Sequence, residues 1–386
     1  MIRIDNIKNM EGKRRYETII VGCGIAGASV AHFLAERGMT DILILEKEEQ
    51  PGYHATGRSA AVLVELDLIP SVLELKTLGA KFLRKPPVGF SENPLLKKSG
   101  ILTIFQESMG EIIEQMVLRM EELGASVKLL NSQEVVSMIP VVSSKNFDGA
   151  VYLSEDGHID VHELLWSYLR HAKSNGTELR CGIEVKGINV SKGRCCGVIT
   201  DAGEFKSRWV INSAGAWSGK IGKLAGATPI ELTPFRRTII TFASPPDLEV
   251  RDWPLTADLT NQLYFGPESA GLLASPMDED AMEPCDARPD DLVVAMTIDR
   301  MERLTPRLVP KSLRNKWAGL RTFAPDHVFV VGEDTMVKGF FWLSGQGGAG
   351  IETSPAVGRI AAELLIDGHT DLMDAQTLNP RRFVRE

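Results

Sequence analysis

The sequence predicts an α/β protein in which a nucleotide-binding parallel sheet is joined to a second part built on a mixed sheet. Three observations carry this reading. A strand–glycine turn–helix–strand unit opens the chain over residues 16–46. A second strand–glycine turn–helix unit nearly closes it over residues 339–365. Between them, regular β–α–β alternation fails after residue 67, and residues 229–322 are rich in strands, long loops and prolines.

In the opening unit, YETIIV (16–21) is short, β-branched and ended by glycine, as a buried strand is. Gly22, Gly24 and Gly27 follow in G-x-G-x-x-G spacing. Gly22 permits the tight turn, Gly24 lets the backbone approach a pyrophosphate, and Gly27 lets the next helix pack closely on the strand. That helix is expected over Ala26–Arg37, with Val30, Phe33 and Leu34 on one face and Gly38 as its stop. Its N-terminus offers unpaired N–H groups and a positive dipole end to phosphates. Asp41–Glu46 is a second strand ending in an acid, and Glu46 can accept hydrogen bonds from ribose hydroxyls. A lone glycine turn can be only a turn, but the flanking strand, helix and acid make this a dinucleotide site for NAD or FAD.

Val72–Leu83 and Glu107–Leu123 are expected as helices, and Ser99–Phe105 and Gly149–Leu153 as strands. Asp160–Asn175 is expected as a helix opened by an Asp160/Glu163 capping box and ended at Gly176. His158, His162 and His171 lie on or near it without acidic or cysteine partners at ligand spacing, so they read as structural and no metal site is expected. Glu178–Val190, Arg194–Thr200 and Glu204–Asn212 read as strands leading into NSAGAWSGKIGKLAG, a small-residue turn and a helix.

In the closing unit, GFFWLSGQGGAGIETSPAVGRIAAELL, the glycines Gly345, Gly347, Gly348 and Gly350 let the backbone approach something flat or charged. The helix after them turns its positive end to the same place, which suits the negative charge of a reduced flavin. A loop that needs glycine for its own turns is the plainer alternative. Two such turns at opposite ends of the chain favour an extended cofactor, FAD.

With 386 residues, two domains are expected. A formal net charge of −8 excludes a nucleic-acid binder and a polybasic membrane-surface protein. The five cysteines are odd in number, two are adjacent, and none has metal-ligand spacing, so free thiols in a reducing compartment are expected. The first residues carry no apolar signal core, and no apolar run reaches the roughly 18 residues of a membrane span. A cytoplasmic setting follows from these readings.

GCGIAGASVAHFLAERG, LILEKEEQPGYHATGRSAA, NSAGAWS, WAGLRTF and FFWLSGQGGAGIETSPAVG together resemble the FAD-dependent D-amino-acid oxidase and glycine oxidase superfamily. The branch most similar is that of the bacterial D-arginine dehydrogenase-like enzymes, and the resemblance runs in order from Tyr16 to Phe383. It implies a Rossmann-like FAD-binding domain with a mixed-sheet α+β substrate domain, both discontinuous. Residues 1–66, 150–226 and 322–386 would form the first, and 67–149 and 227–321 the second.

The resemblance also implies site residues. Cofactor contacts would come from Gly22, Gly24, Ile25, Ala26, Gly27, Glu46 and Lys47, then from Gly57, Arg58, Ser59, Ala60 and Ala61. Arg58 and Ser59 would lie beside pyrophosphate and flavin, Val185 near the adenine, and Ala214, Gly215 and Trp217 along the cofactor. Gly347, Gly348, Ala349, Gly350, Ile351 and Glu352 would face the flavin. In the substrate site, Arg237 or Arg321 would hold a carboxylate, with Arg237 favoured over its neighbour Arg236 on the same strand. Tyr264 would line the pocket, and the Gly348 carbonyl would accept from the amine.

Where D-arginine dehydrogenase-like enzymes carry a histidine, a tyrosine and an acid, this chain has Val62, Asp67 and Ile101. A cationic side chain would then be buried without a partner, which is costly. The implied activity is oxidation of the C–N bond of an amino acid, a D-amino acid that is not strongly cationic, by hydride transfer to flavin N5. Two alternatives stand beside it: a secondary-amine (sarcosine- or proline-like) dehydrogenase or oxidase, in a complex of several subunits, and a non-catalytic FAD-binding subunit. The electron acceptor, whether quinone, oxygen or a protein partner, is left open.

Overall fold

The computed structural model describes residues 15–268 and 271–384. Its first sheet runs in the order Glu178–Arg180, Ile42–Leu45, Arg15–Val21, Gly203–Asn212, Phe340–Ser344, Val330–Glu333. Neighbours are parallel as far as Phe340–Ser344, and Val330–Glu333 adds antiparallel. Both faces of such a sheet must be covered, so its central strands carry buried apolar runs, as in Ile19–Val21, Ile42–Leu45 and Phe340–Leu343. Alternate side chains go to opposite layers: Ile20 and Ile44 join one apolar cluster, and Ile19, Val21, Leu43 and Leu45 the other. Helix Ile25–Glu36 packs against both Val161–Ser174 and Ser354–Ile366 on one face.

The first half of Gly203–Asn212 pairs away from this parallel core. Residues 203–206 run antiparallel to Arg194–Thr200, which pairs in turn with Val185–Ser191. The expected single strand over Glu178–Val190 is therefore two. Glu178–Arg180 ends the parallel sheet, Gly182 turns the chain at φ +70°, and Val185–Ser191 starts the meander. Helix Val161–Ser174 begins at Asp160, whose carboxylate accepts from Glu163 N–H at 2.8 Å. The reciprocal half of the expected capping box does not form, because the Glu163 carboxylate accepts instead from Glu92 N–H (2.9 Å) and Arg170 (2.8 Å).

The second sheet runs Leu313–Phe323, Thr233–Phe242, Gly271–Ser275, Leu263–Glu268, Leu255–Asp258, Ile101–Phe105, Gly149–Leu153, Lys128–Asn131. Its pairs are antiparallel except Leu255–Asp258 with Ile101–Phe105. Gly149–Leu153, at the expected domain boundary, thus pairs in the second sheet. A small sheet of Val62–Leu63, Gly157–Ile159 and Leu96–Lys98 lies outside both. No helix among the described residues is long and apolar enough to cross a membrane.

Candidate functional site

The first glycine turn is closed from three sides. Gly22, at φ +99°, lies against Ser213, where a Cβ would come within 2.6 Å of the Ser213 carbonyl oxygen. A Cβ on Gly27 would sit 2.0 Å from the Gly22 carbonyl oxygen, so only hydrogen fits between helix and turn. Glu46 clamps the turn: its Oε2 accepts from Cys23 N–H at 2.7 Å and its Oε1 from Glu48 N–H at 3.0 Å. Gly24 caps helix Ile25–Glu36 with no side-chain acceptor of its own, and Thr56 supplies one, Oγ1 accepting from Ile25 N–H at 3.0 Å. Sequence reasoning missed Thr56, since it reaches the turn from 31 residues away.

The second turn lies between strand Phe340–Ser344 and helix Ser354–Ile366. Gly345 and Gly347 take positive φ (+71° and +52°), and a Cβ on Gly347 would meet the Phe323 ring at 2.2 Å. Helix Ser354–Ile366 starts without a side-chain cap; the Ser354 N–H donates to the Ile351 carbonyl at 3.2 Å, and Pro355 has no N–H to leave open.

Both turns open on one cavity of about 830 Å³. Gly22, Gly24, Ile25, Ala26, Glu46 and Lys47 line it on the side of the first turn. Val185, Ala214, Gly215 and Trp217 line it further on, and Gly347, Gly348, Gly350 and Ile351 on the side of the second turn. Lys47 Nζ stands 3.3 Å over the Trp217 ring, and Lys186, Lys220 and Lys223 add positive charge to the wall. Arg58, Ser59 and Ala60 also line it, whereas Gly27 is buried behind the turn, Gly57 is exposed away from the cavity with its Cα against the Gly52 carbonyl, and Ala61 turns away at φ +56°. The Arg58 guanidinium is already engaged, donating to the carbonyls of Ala287 (3.1 Å) and Ala318 (3.3 Å) and pairing with Asp286. Lysines and two glycine turns form a cradle that fits FAD.

A second cavity of about 430 Å³ shares Ser59, Ala60, Arg237, Arg321, Gln346 and Gly348 with the first. Much of its wall is apolar, with Val62, Val64, Leu66, Ile69, Leu255 and Leu259. Ala349 and Glu352, expected against the cofactor, line this cavity and not the larger one. Tyr264 lines it too, and its buried hydroxyl has no hydrogen-bond partner among the described residues. Ile101 is fully buried in the cluster that includes Leu66 and Leu73, and Thr103 is the residue of its strand that reaches the wall.

The two arginines differ. Strand alternation turns Arg237 inward, while Arg236 pairs with Asp280 (2.6 Å). Arg237 is nevertheless occupied: Nε donates to the Asp278 carbonyl (2.9 Å), and a terminal nitrogen pairs with Glu279 (2.8 Å). Burial, then the positive charge of Arg321, lower its pKa to about 10. Arg321, on strand Leu313–Phe323, has no carboxylate within 4.0 Å among the described residues. It packs so closely on the glycine turn that a Cβ at Gly348 would lie 2.6 Å from its guanidinium.

A family model described as "FAD dependent oxidoreductase" matches residues 17–364. The chain is 28% identical to FAD-dependent oxidoreductase domain-containing protein 1 of Bos taurus, over 96% of this chain and 84% of that one. It is 26% identical to hydrogen cyanide synthase subunit HcnC of Pseudomonas aeruginosa, over 97% of each. The solved structure of L-proline dehydrogenase from P. horikoshii superposes with a TM-score of 0.85 at 22% identity, covering 96% of this chain and 98% of that one.

Proposed function

The chain belongs to the FAD-dependent oxidoreductase family, and from that premise we propose that it oxidises the C–N bond of an amino acid whose side chain is uncharged. The observation that carries this is Arg321: a cation with no carboxylate partner among the described residues, where the two cavities join, beside Gly348. A planar guanidinium meets both oxygens of a substrate carboxylate. The unsatisfied Tyr264 hydroxyl is the second donor, and the Gly348 carbonyl accepts from the substrate amine. FAD, when bound, supplies the hydride acceptor; the chain binds the substrate, orients it and keeps water from it.

The D-configuration stays in the proposal on the strength of the sequence resemblance. A secondary amine, proline-like or N-methylated, is the second reading, favoured by the apolar wall and by the similarity to L-proline dehydrogenase. Association with further subunits belongs to the same proposal, since HcnC is by its name a subunit. Anaerobic mixing with paired D-, L- and N-alkyl amino acids tests both readings through the flavin absorbance. Small neutral D-amino acids, or proline and sarcosine under the second reading, are expected to bleach the flavin, and D-arginine and D-lysine to leave it oxidised. Rapid bleaching by the cationic pair, or none by any amine, would overturn the proposal.

A further inference from the structure

Asp67, Lys76 and Glu352 line the substrate cavity together. Lys76 projects from helix Pro70–Arg84 and is almost fully buried. Its Nζ lies 2.9 Å from Asp67 Oδ2, 3.3 Å from the Leu66 carbonyl oxygen and 3.5 Å from Glu352 Oε1. One cation therefore faces two carboxyl groups, and it is closer to Asp67. Asp67 also accepts from Ile69 N–H at 3.0 Å, so its charge is held twice. Glu352 is left at 6% exposure with the longer contact.

The protonation states follow from this asymmetry. Burial works against the Lys76 ammonium, but Asp67 and then Glu352 outweigh it and hold its pKa above the ordinary value. At Glu352 burial wins: it pushes the carboxyl up to about 7 against the pull of Lys76 and then Arg321, with Asp67 adding to the rise. Besides the arginines and Tyr264, two other titratable groups line the cavity: Glu279, which pairs with Arg237, and His327, whose exposed ring is tilted against Phe323 at 4.7 Å.

We propose that Glu352 is the proton acceptor of the substrate cavity, taking a proton from the substrate ammonium nitrogen while the Lys76–Asp67 pair positions its carboxylate. This rests on the C–N oxidation reading above. In the step, an N–H bond breaks, its electron pair stays on nitrogen, and the proton bonds to a Glu352 carboxylate oxygen. No oxidant is consumed. The freed lone pair is what stabilises the carbon as a hydride leaves it, so an ammonium must lose its proton first.

Two measurements on FAD-loaded protein test this, with retained flavin absorbance as the folding control for Glu352→Gln. The first follows anaerobic flavin reduction by the best amine of the panel as a function of pH. Wild type is expected to rise through an ionisation near 7. Glu352→Gln is expected to lose it and to reduce roughly a hundredfold more slowly at neutral pH, recovering as the amine's own deprotonation supplies neutral substrate. The second measures binding of propionate, which has no amine, by the shift it causes in flavin absorbance. Binding to wild type is expected to weaken as Glu352 ionises, and binding to Glu352→Gln to stay flat over the same range. Lys76→Met is expected to move both wild-type transitions to higher pH. Persistence of either ionisation in Glu352→Gln overturns this inference and leaves the C–N oxidation reading standing. Failure of every amine to reduce the wild-type flavin overturns both.

Discussion

Arg237 and Arg321 have the same chemistry, and their neighbours give them different tasks. Arg237 spends its donors on the Asp278 carbonyl and Glu279, so it braces the wall of the cavity. Arg321 lines both cavities and has no carboxylate partner among the described residues. Charge-assisted hydrogen bonds contribute about 1.5–3 kcal/mol each, so Arg321→Met is expected to weaken binding of substrate or propionate by about tenfold to a hundredfold. Arg321→Lys should restore part of that affinity, and titration by flavin absorbance measures both. Equal affinity for propionate in wild type and Arg321→Met would remove Arg321 from the carboxylate site. Strand alternation says only that Arg236 and Arg237 face opposite ways; the family resemblance favoured Arg237 as the inward one. Its pairing was not legible, because Glu279 returns from 42 residues along the chain and only the fold brings it back. Glu352 was placed by motif on the cofactor side, and it reaches the substrate cavity because it stands past the last glycine of the turn, against helix Pro70–Arg84.

At the scale of elements, the strand–turn–helix unit was readable because each glycine has a separate physical duty. Gly27 has the strictest. An alanine there would place its methyl 2.0 Å from the backbone oxygen of Gly22, which cannot swing aside. Overpacking of this kind costs about 1–3 kcal/mol and would push the helix off the turn. Gly27→Ala is therefore expected to purify with substoichiometric FAD and a lower Tm, measured by absorbance ratio and thermal melt. Full FAD content at unchanged Tm would show that helix and turn can separate without loss. Elements without such punctuation were harder to read. Glu178–Val190 looks continuous in composition, yet Gly182 divides it between two pairing partners. The capping box at Asp160 failed on its second half because the Glu92 N–H and the Arg170 guanidinium compete for the Glu163 carboxylate.

Across the whole molecule, stability rests on layers drawn from distant parts of the chain, and one of them is sensitive to acid. His32 on helix Ile25–Glu36 sits among the rings of Phe33, Phe90, Tyr168 and His171, with centroids 4.7–5.4 Å away. Burial, then His171, lower its pKa from 6.5 to about 4. Between those values the unfolded chain binds a proton that the folded chain refuses. The contribution of His32 is therefore complete above pH 6.5 and is lost as pH falls toward 4, by on the order of 3 kcal/mol. Urea unfolding of His32→Leu should show a flatter decline over that window than wild type; an identical decline would place the acid sensitivity elsewhere. The alternation of apolar residues foretold such a core, but the ring cluster joins residues 32, 90 and 171, a proximity no local pattern encodes.

The parallel sheet carries a consequence for synthesis. Strand Arg15–Val21 is flanked by Ile42–Leu45 and by Gly203–Asn212, and residues 210–212 of the latter gain their outer neighbour only with Phe340–Ser344. A ribosome adding about 5–20 residues each second delivers the last of these strands many seconds after the first. Through that interval the nascent chain carries an apolar strand edge with nothing beside it, a surface that chaperones hold and that aggregation exploits. The closing glycine turn leaves the ribosome after the opening one, so FAD can be gripped from both ends only once residues 345–351 have emerged.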